Sequence, residues 1–240
     1  MATCLLAGCN LALGIHQVGE LPADAAADVG PDAMPVAIDF VQVKGGMLPQ
    51  VATSVDAPLP MPQRTGDLNV VFVAWGNTFP GIASVTDTNG NTYAAGSQGS
   101  FGAVWYAANV AAGSNTVTVR FNGDTDYPDV RVLEYTGIAA SDALDAQIST
   151  SGVGATMTSG MVTTMHAYDL LVAGTAVGSY TTQASPMFTQ RIETTPNGSI
   201  AEDRVVTAAG PYEAVATQSA TNESWTMNLL AFKGLSDAPP

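Results

Sequence analysis

Asp87-Thr88-Asn89-Gly90-Asn91 sets oxygen-bearing side chains at alternate positions, the spacing of the first half of a helix-loop-helix calcium loop. Such a loop closes with a bidentate Glu seven residues beyond the position of Asn91, and Gln98 stands there. A second acidic group, Asp124, Asp126 and Asp129, falls between two other apolar runs. Asp87, Asn89, Asn91, Asp124, Asp126 and Asp129 are the calcium candidates, and calcium is the one cofactor these residues suggest. The Asn-Gly pair makes a hairpin turn the simpler account of the first group.

Paired carboxylates hydrolyse glycosides. Glu134 is the strand residue to weigh for that role, because alternation groups it with Val130 and Val132 and sets it opposite Arg131, Leu133 and Tyr135. No second strand offers a carboxylate at a matched position. Glu134 therefore reads as a solvent-facing or cross-strand-paired residue, a jelly-roll glycosidase is a distant alternative, and no residue is given a catalytic role. The chain has no Gly-x-Ser-x-Gly elbow, His-Glu-x-x-His, phosphate loop or Cys-x-x-Cys. Its two histidines, His16 and His166, lie in unlike contexts, which leaves triad and His-cluster zinc chemistry without a residue set. Exposed aromatics stack on sugars, and the loop residues Phe79, Tyr127, Tyr180 and Tyr212 are the platform candidates. Trp75 shares a face with Val71 and Val73, and Trp225 with Met227 and Leu229, so both read as core.

The elements that must carry these residues are strands. From Val36 onward, short apolar alternations are separated by Gly, Asn, Asp and Pro, and no window holds a 3.6-residue period. The pattern predicts an all-β fold, a single jelly-roll-like β-sandwich, with two tandem Ig-like domains as the alternative. An internal repeat belongs to this reading. Ala111-Ala112-Gly113 returns as Ala208-Ala209-Gly210, and 130–138 returns as 227–235, both 97 residues on; Asp67-Leu68-Asn69-Val70 returns as Asp169-Leu170-Leu171-Val172 after 102. An old duplication with one loop altered leaves such spacing.

Composition bounds the function classes. Charged residues make up 12% of the 240, about half the usual ~25%. With 7 basic against 21 acidic residues, the net charge of −14 repels phosphate backbones, so nucleic-acid binding is excluded. An apolar content of 46% is too high for a disordered chain. No run approaches the ~18 apolar residues of a spanning helix. Residues 10–35 read as a flexible acidic Ala/Asp/Pro tether, 36–235 as the sandwich domain and 236–240 as a disordered tail.

Leu5-Leu6-Ala7-Gly8-Cys9 resembles the lipobox of bacterial lipoproteins. The resemblance implies that residues 1–9 are the remnant of a signal peptide, that Cys4 leaves with it, and that Cys9 carries the lipid that attaches the protein to a membrane. The tether is similar in style to those of myxobacterial surface lipoproteins. The region from Val36 to Gly234 resembles an extracellular β-sandwich module of large or anchored bacterial proteins, through Gly66-Asp67-Leu68, Asp87 to Tyr93, Val104-Trp105-Tyr106-Ala107-Ala108-Asn109 and the strand entry from Gly113 to Phe121. That family brings no catalytic residues with it. The expectation is an exported, non-enzymatic protein of the outer membrane, cell surface or extracellular space that binds or adheres to a protein partner or glycan. A self-assembling structural, filament or surface-layer subunit is the alternative.

Overall fold

Strands with two burial patterns run along the chain, and the difference sorts them into layers. The computed structural model describes residues 36–76 and 79–236; Cys9, His16 and the rest of 1–35 lie outside the described residues, as do 237–240. The first half holds β1 (Asp39–Met47), β2 (Ala52–Pro58), β3 (Leu68–Ala74), β4 (Ile82–Asp87), β5 (Ala94–Gln98), β6 (Gly102–Ala107), β7 (Thr116–Thr125) and β8 (Asp129–Thr136). The second holds β9 (Leu144–Val153), β10 (Thr156–Thr158), β11 (Val162–Thr164), β12 (Asp169–Val177), β13 (Thr181–Gln183), β14 (Thr189–Glu193), β15 (Ile200–Val206), β16 (Gly210–Tyr212), β17 (Val215–Gln218) and β18 (Ser224–Lys233). Every residue of β3 is buried, whereas β7 buries alternate residues along its first six. A strand covered on both faces has no polar side to show, and a strand with one wet face must alternate.

The layers follow from the pairing. A three-stranded sheet, β2-β7-β4, packs on a five-stranded sheet, β1-β8-β3-β6-β5, around Val55, Val71, Val73, Trp75, Val119 and Val132. The second half repeats the order as β10-β17-β13 on β9-β18-β12-β15-β14, around Met157, Leu171, Trp225, Met227 and Leu229, with a β11-β16 ribbon added. The two five-stranded sheets then face each other across a third core that contains Leu68, Phe72, Leu133, Tyr135, Leu170, Leu230 and Phe232. The all-β sandwich is therefore doubled. Each repeat builds a sandwich of its own, and the described residues of both fall in one compact unit.

Residues matched by the sequence repeat hold matching places in the two halves. Leu133 and Tyr135 of β8 enter the central core, as do their equivalents Leu230 and Phe232 of β18, 97 residues on. Phe72 and its equivalent Gly174, 102 residues on, meet across the joint: a Cβ on Gly174 would fall 2.4 Å from the Phe72 ring. A large residue in one copy is accommodated by the smallest in the other.

One local expectation is corrected. The Asp87 to Asn91 turn is a corner between sheets and not a hairpin within one, because β4 pairs with β7 while β5 pairs with β6. Asn-Gly supplies the positive φ of Gly90, +75°, which a corner uses as readily as a hairpin. The edges are also distinctive. Edge strands β1, β2, β4, β5, β9, β13 and β14 each carry a register shift against their neighbour, and the inner pairings of β3 and β12 carry none.

Candidate functional site

A cleft of about 280 Å³ opens on the seam between the two halves. One wall is the end of β3 with Ala74, Trp75 and Gly76; the other is the end of β12 with Ala176, Val177 and Gly178, their repeat equivalents. Phe101, Tyr127, Asn197, Ser199 and Glu223 add to the lining, with Met47 and Ser224. The duplication thus makes the site, because two like strand ends stop side by side and leave a gap. Glycine keeps it open. A Cβ on Gly178 would fall 2.8 Å from Glu223 Oε2, and one on Gly76 3.2 Å from the Asp126 Cβ.

The aromatic side of the cleft is built in layers. Trp75 donates its indole N–H to the Ser100 carbonyl at 3.2 Å and stacks on Phe79, centroids 3.6 Å apart and planes within 6°. Phe79 in turn meets Phe121 edge-on. Tyr127 stands at the opening, 55% exposed, on a backbone with φ of +47°. The polar side is held from beneath. Asp129, fully buried, accepts from Asn197 Nδ2 at 3.0 Å and from Thr194 Oγ1 at 2.7 Å, and Thr194 Oγ1 lies 2.8 Å from Asn197 Oδ1. The Glu223 carboxylate accepts no hydrogen bond from the described residues.

Of the four loop aromatics singled out in the sequence, Tyr127 lines this cleft and Phe79 backs it. Tyr180 is 58% exposed and lies against Gly198, beside Asn197. Tyr212 belongs to the outer β11-β16 ribbon, where its hydroxyl donates to the Ala208 carbonyl and the Arg204 guanidinium covers its ring.

Of the calcium candidates, Asp87 and Asp129 hold protein donors. Asp87 Oδ1 accepts from the backbone N–H of Asn89 and Asn91, and Oδ2 from Asn91 Nδ2, Tyr93 Oη and Asn115 Nδ2. Burial pushes that carboxyl up, but the donors from Asn115, Asn91 and Tyr93 outweigh it and hold it below its ordinary value. Both oxygens are engaged in the corner. Asp129 sits 3.5 Å from the buried Arg131 guanidinium, apart in role from the exposed Asp124. Among the described residues no three His, Cys, Asp or Glu side chains converge in a way that could hold a metal ion.

Glu134 lies inside the first sandwich, with no exposed surface, among Gln42, Gln63, Asp67 and Asn69. Its register partners are Gln42 and Asn69, and Gln42 donates to its Oε2. It is the cross-strand-paired residue of the two readings. Burial, with Asp67 adding to it against the Gln42 bond, raises its carboxyl to about 7. A raised acid of this kind suits proton donation, yet Glu134 and Asp67 are 0% and 2% exposed, so no substrate reaches them in this structure.

Sequence reasoning passed over Arg131 and Asp203. Arg131 crosses the joint, donating to the carbonyls of Ile200 and Thr175. Asp203 accepts from Tyr135 Oη at 2.8 Å and takes a bidentate contact from Arg191, whose guanidinium also covers Phe40. Charges set among apolar strand residues were the available signal, since a charge in a strand must be exposed or paired. Compared with known proteins, the chain matches no family model, no curated protein and no solved structure.

Proposed function

We propose that the chain is a non-enzymatic, lipid-anchored or secreted bacterial cell-surface protein that binds a glycan in the cleft between its two sandwiches. The observation that carries this reading is the combination in one opening of an exposed Tyr127 with Asn197, Ser199 and a Glu223 carboxylate that accepts no hydrogen bond from the described residues. A sugar ring offers an apolar C–H face to an aromatic and hydroxyls to amides and carboxylates. The net charge of −14 favours neutral over anionic saccharides. Attachment would come from lipid on Cys9, with the tether as spacer.

The self-assembling alternative receives less support. Bulged edges are a device against strand-to-strand association, and seven edge strands carry one. Calcium is left without a structural role in this reading, because Asp87 and Asp129 already hold protein donors.

A polysaccharide array probed with the wild type, Tyr127→Ala and Tyr212→Ala tests the proposal. Wild type and Tyr212→Ala should bind the same neutral glycans, and Tyr127→Ala should lose at least tenfold in affinity. An array without hits, or hits that Tyr127→Ala leaves unchanged, would contradict it.

A further inference from the structure

At the start of β3, the end of that strand away from the cleft, Asp67 Oδ2 and Glu134 Oε1 are buried and receive no hydrogen bond from the described residues. In the second half Asp169 Oδ2 is in the same condition, with Asp145 as its carboxyl neighbour. Asp67 and Asp169 are repeat equivalents, 102 residues apart, each at the entry to the third strand of the repeat's order. Asp67, Glu134 and Asp169 are buried and Asp145 is half-buried; two carboxylates side by side away from water repel, and one proton between them supplies a donor to an acceptor that otherwise has none. We infer that the fold holds one shared proton in each half, between Asp67 and Glu134 and between Asp145 and Asp169, and that losing these protons as the medium turns alkaline destabilises both inner sheets.

The surroundings favour retention of the proton. Around the first pair stand Gln42, Gln63, Asn69 and Tyr93, with Asp87 behind Tyr93 and Asn115, and among the described residues no cation is a hydrogen-bond partner. Burial and Asp87 keep Tyr93 protonated far above its ordinary range. Around the second pair, His166 Nδ1 lies 3.0 Å from Asp169 Oδ1, the backbone N–H groups of Met165 and His166 donate to Asp145 Oδ2, and Lys233 is held by Asp142 at 2.7 Å. Burial opposes the charge on Asp145, but its backbone donors prevail and hold it low, so the proton resides on Asp169, which burial and Asp145 raise to about 7 against the opposing pull of His166.

The sign is fixed by these directions. Glu134 and Asp169 both sit higher folded than unfolded, so their contribution is complete below about pH 4 and is lost as the pH rises through about 7. Asp87 acts oppositely, losing its contribution only in strong acid.

Urea unfolding at pH 5 and pH 8.5 tests the inference on the wild type, on Glu134→Gln/Asp169→Asn, and on Asp56→Asn/Asp124→Asn, which removes the same charge from exposed sites. The wild-type folding constant should fall by roughly a hundredfold per pair between the two pH values. The exposed-site variant should fall as steeply, and Glu134→Gln/Asp169→Asn should lose most of the dependence. Equal wild-type stability at both pH values, or an unchanged dependence in Glu134→Gln/Asp169→Asn, overturns it. Should that variant not fold, carbon-13 carboxyl titration of the wild type decides: two carboxyls titrating near pH 7 support the shared protons, and all carboxyls titrating below pH 5 overturn them.

Discussion

Arg131 leaves β8 of the first half and ends on two carbonyls of the second, those of Thr175 and Ile200, with Asp129 3.5 Å from its Nε. Burial lowers its guanidinium from the ordinary value and Asp129 opposes that shift. Thr175 adjoins the cleft residue Ala176, and Ile200 adjoins Ser199, so one side chain fixes the second wall of the cleft against the first. Removing one partner of a buried charge pair strands the other. Arg131→Met should therefore cost about 3–5 kcal/mol in urea unfolding; a loss under 1 kcal/mol would show that the joint rests on apolar packing alone. Arg131 was not legible as a joint residue in the sequence, because alternation gives its face and not what lies opposite.

At the scale of elements, strand existence and facing were largely readable. Trp75 and Trp225 fall in the cores with the neighbours that alternation gave them, and Trp105 and Tyr106 pack to opposite sides of their sheet. What alternation could not supply is sheet membership. Asn-Gly flanked by β-formers fits a hairpin and a corner alike, and the choice depends on β7 and β6, which lie elsewhere in the chain. β5 (Ala94–Gln98) and β2 (Ala52–Pro58) are rich in small or turn-forming residues and give little strand signal; tertiary pairing makes them strands. The corner itself depends on Asp87, the acceptor of five donors. Asp87→Ala should lower stability by about 1–3 kcal/mol while glycan affinity stays within twofold, since the corner belongs to the far end of β3. A parallel loss of binding would mean that the two ends are coupled.

For the whole molecule, the continuous burial of β3 and β12 is the clue to four layers, since an ordinary two-sheet sandwich leaves one face of each sheet to water. The repeat was visible at 97 and 102 residues, but spacing alone could not say that each copy forms a sandwich of its own and packs on its twin. The cleft is a product of that joining, and neither half contains it. Its most direct test is a titration of the nitrogen-15-labelled protein with neutral oligosaccharides drawn from the array hits, followed by amide shifts. Saturable shifts at Gly76, Tyr127, Gly178 and Asn197, residues of both halves, are the result predicted. Shifts confined to one half, or centred on Tyr212 and the β11-β16 ribbon, would contradict a ligand seated between the two sandwiches.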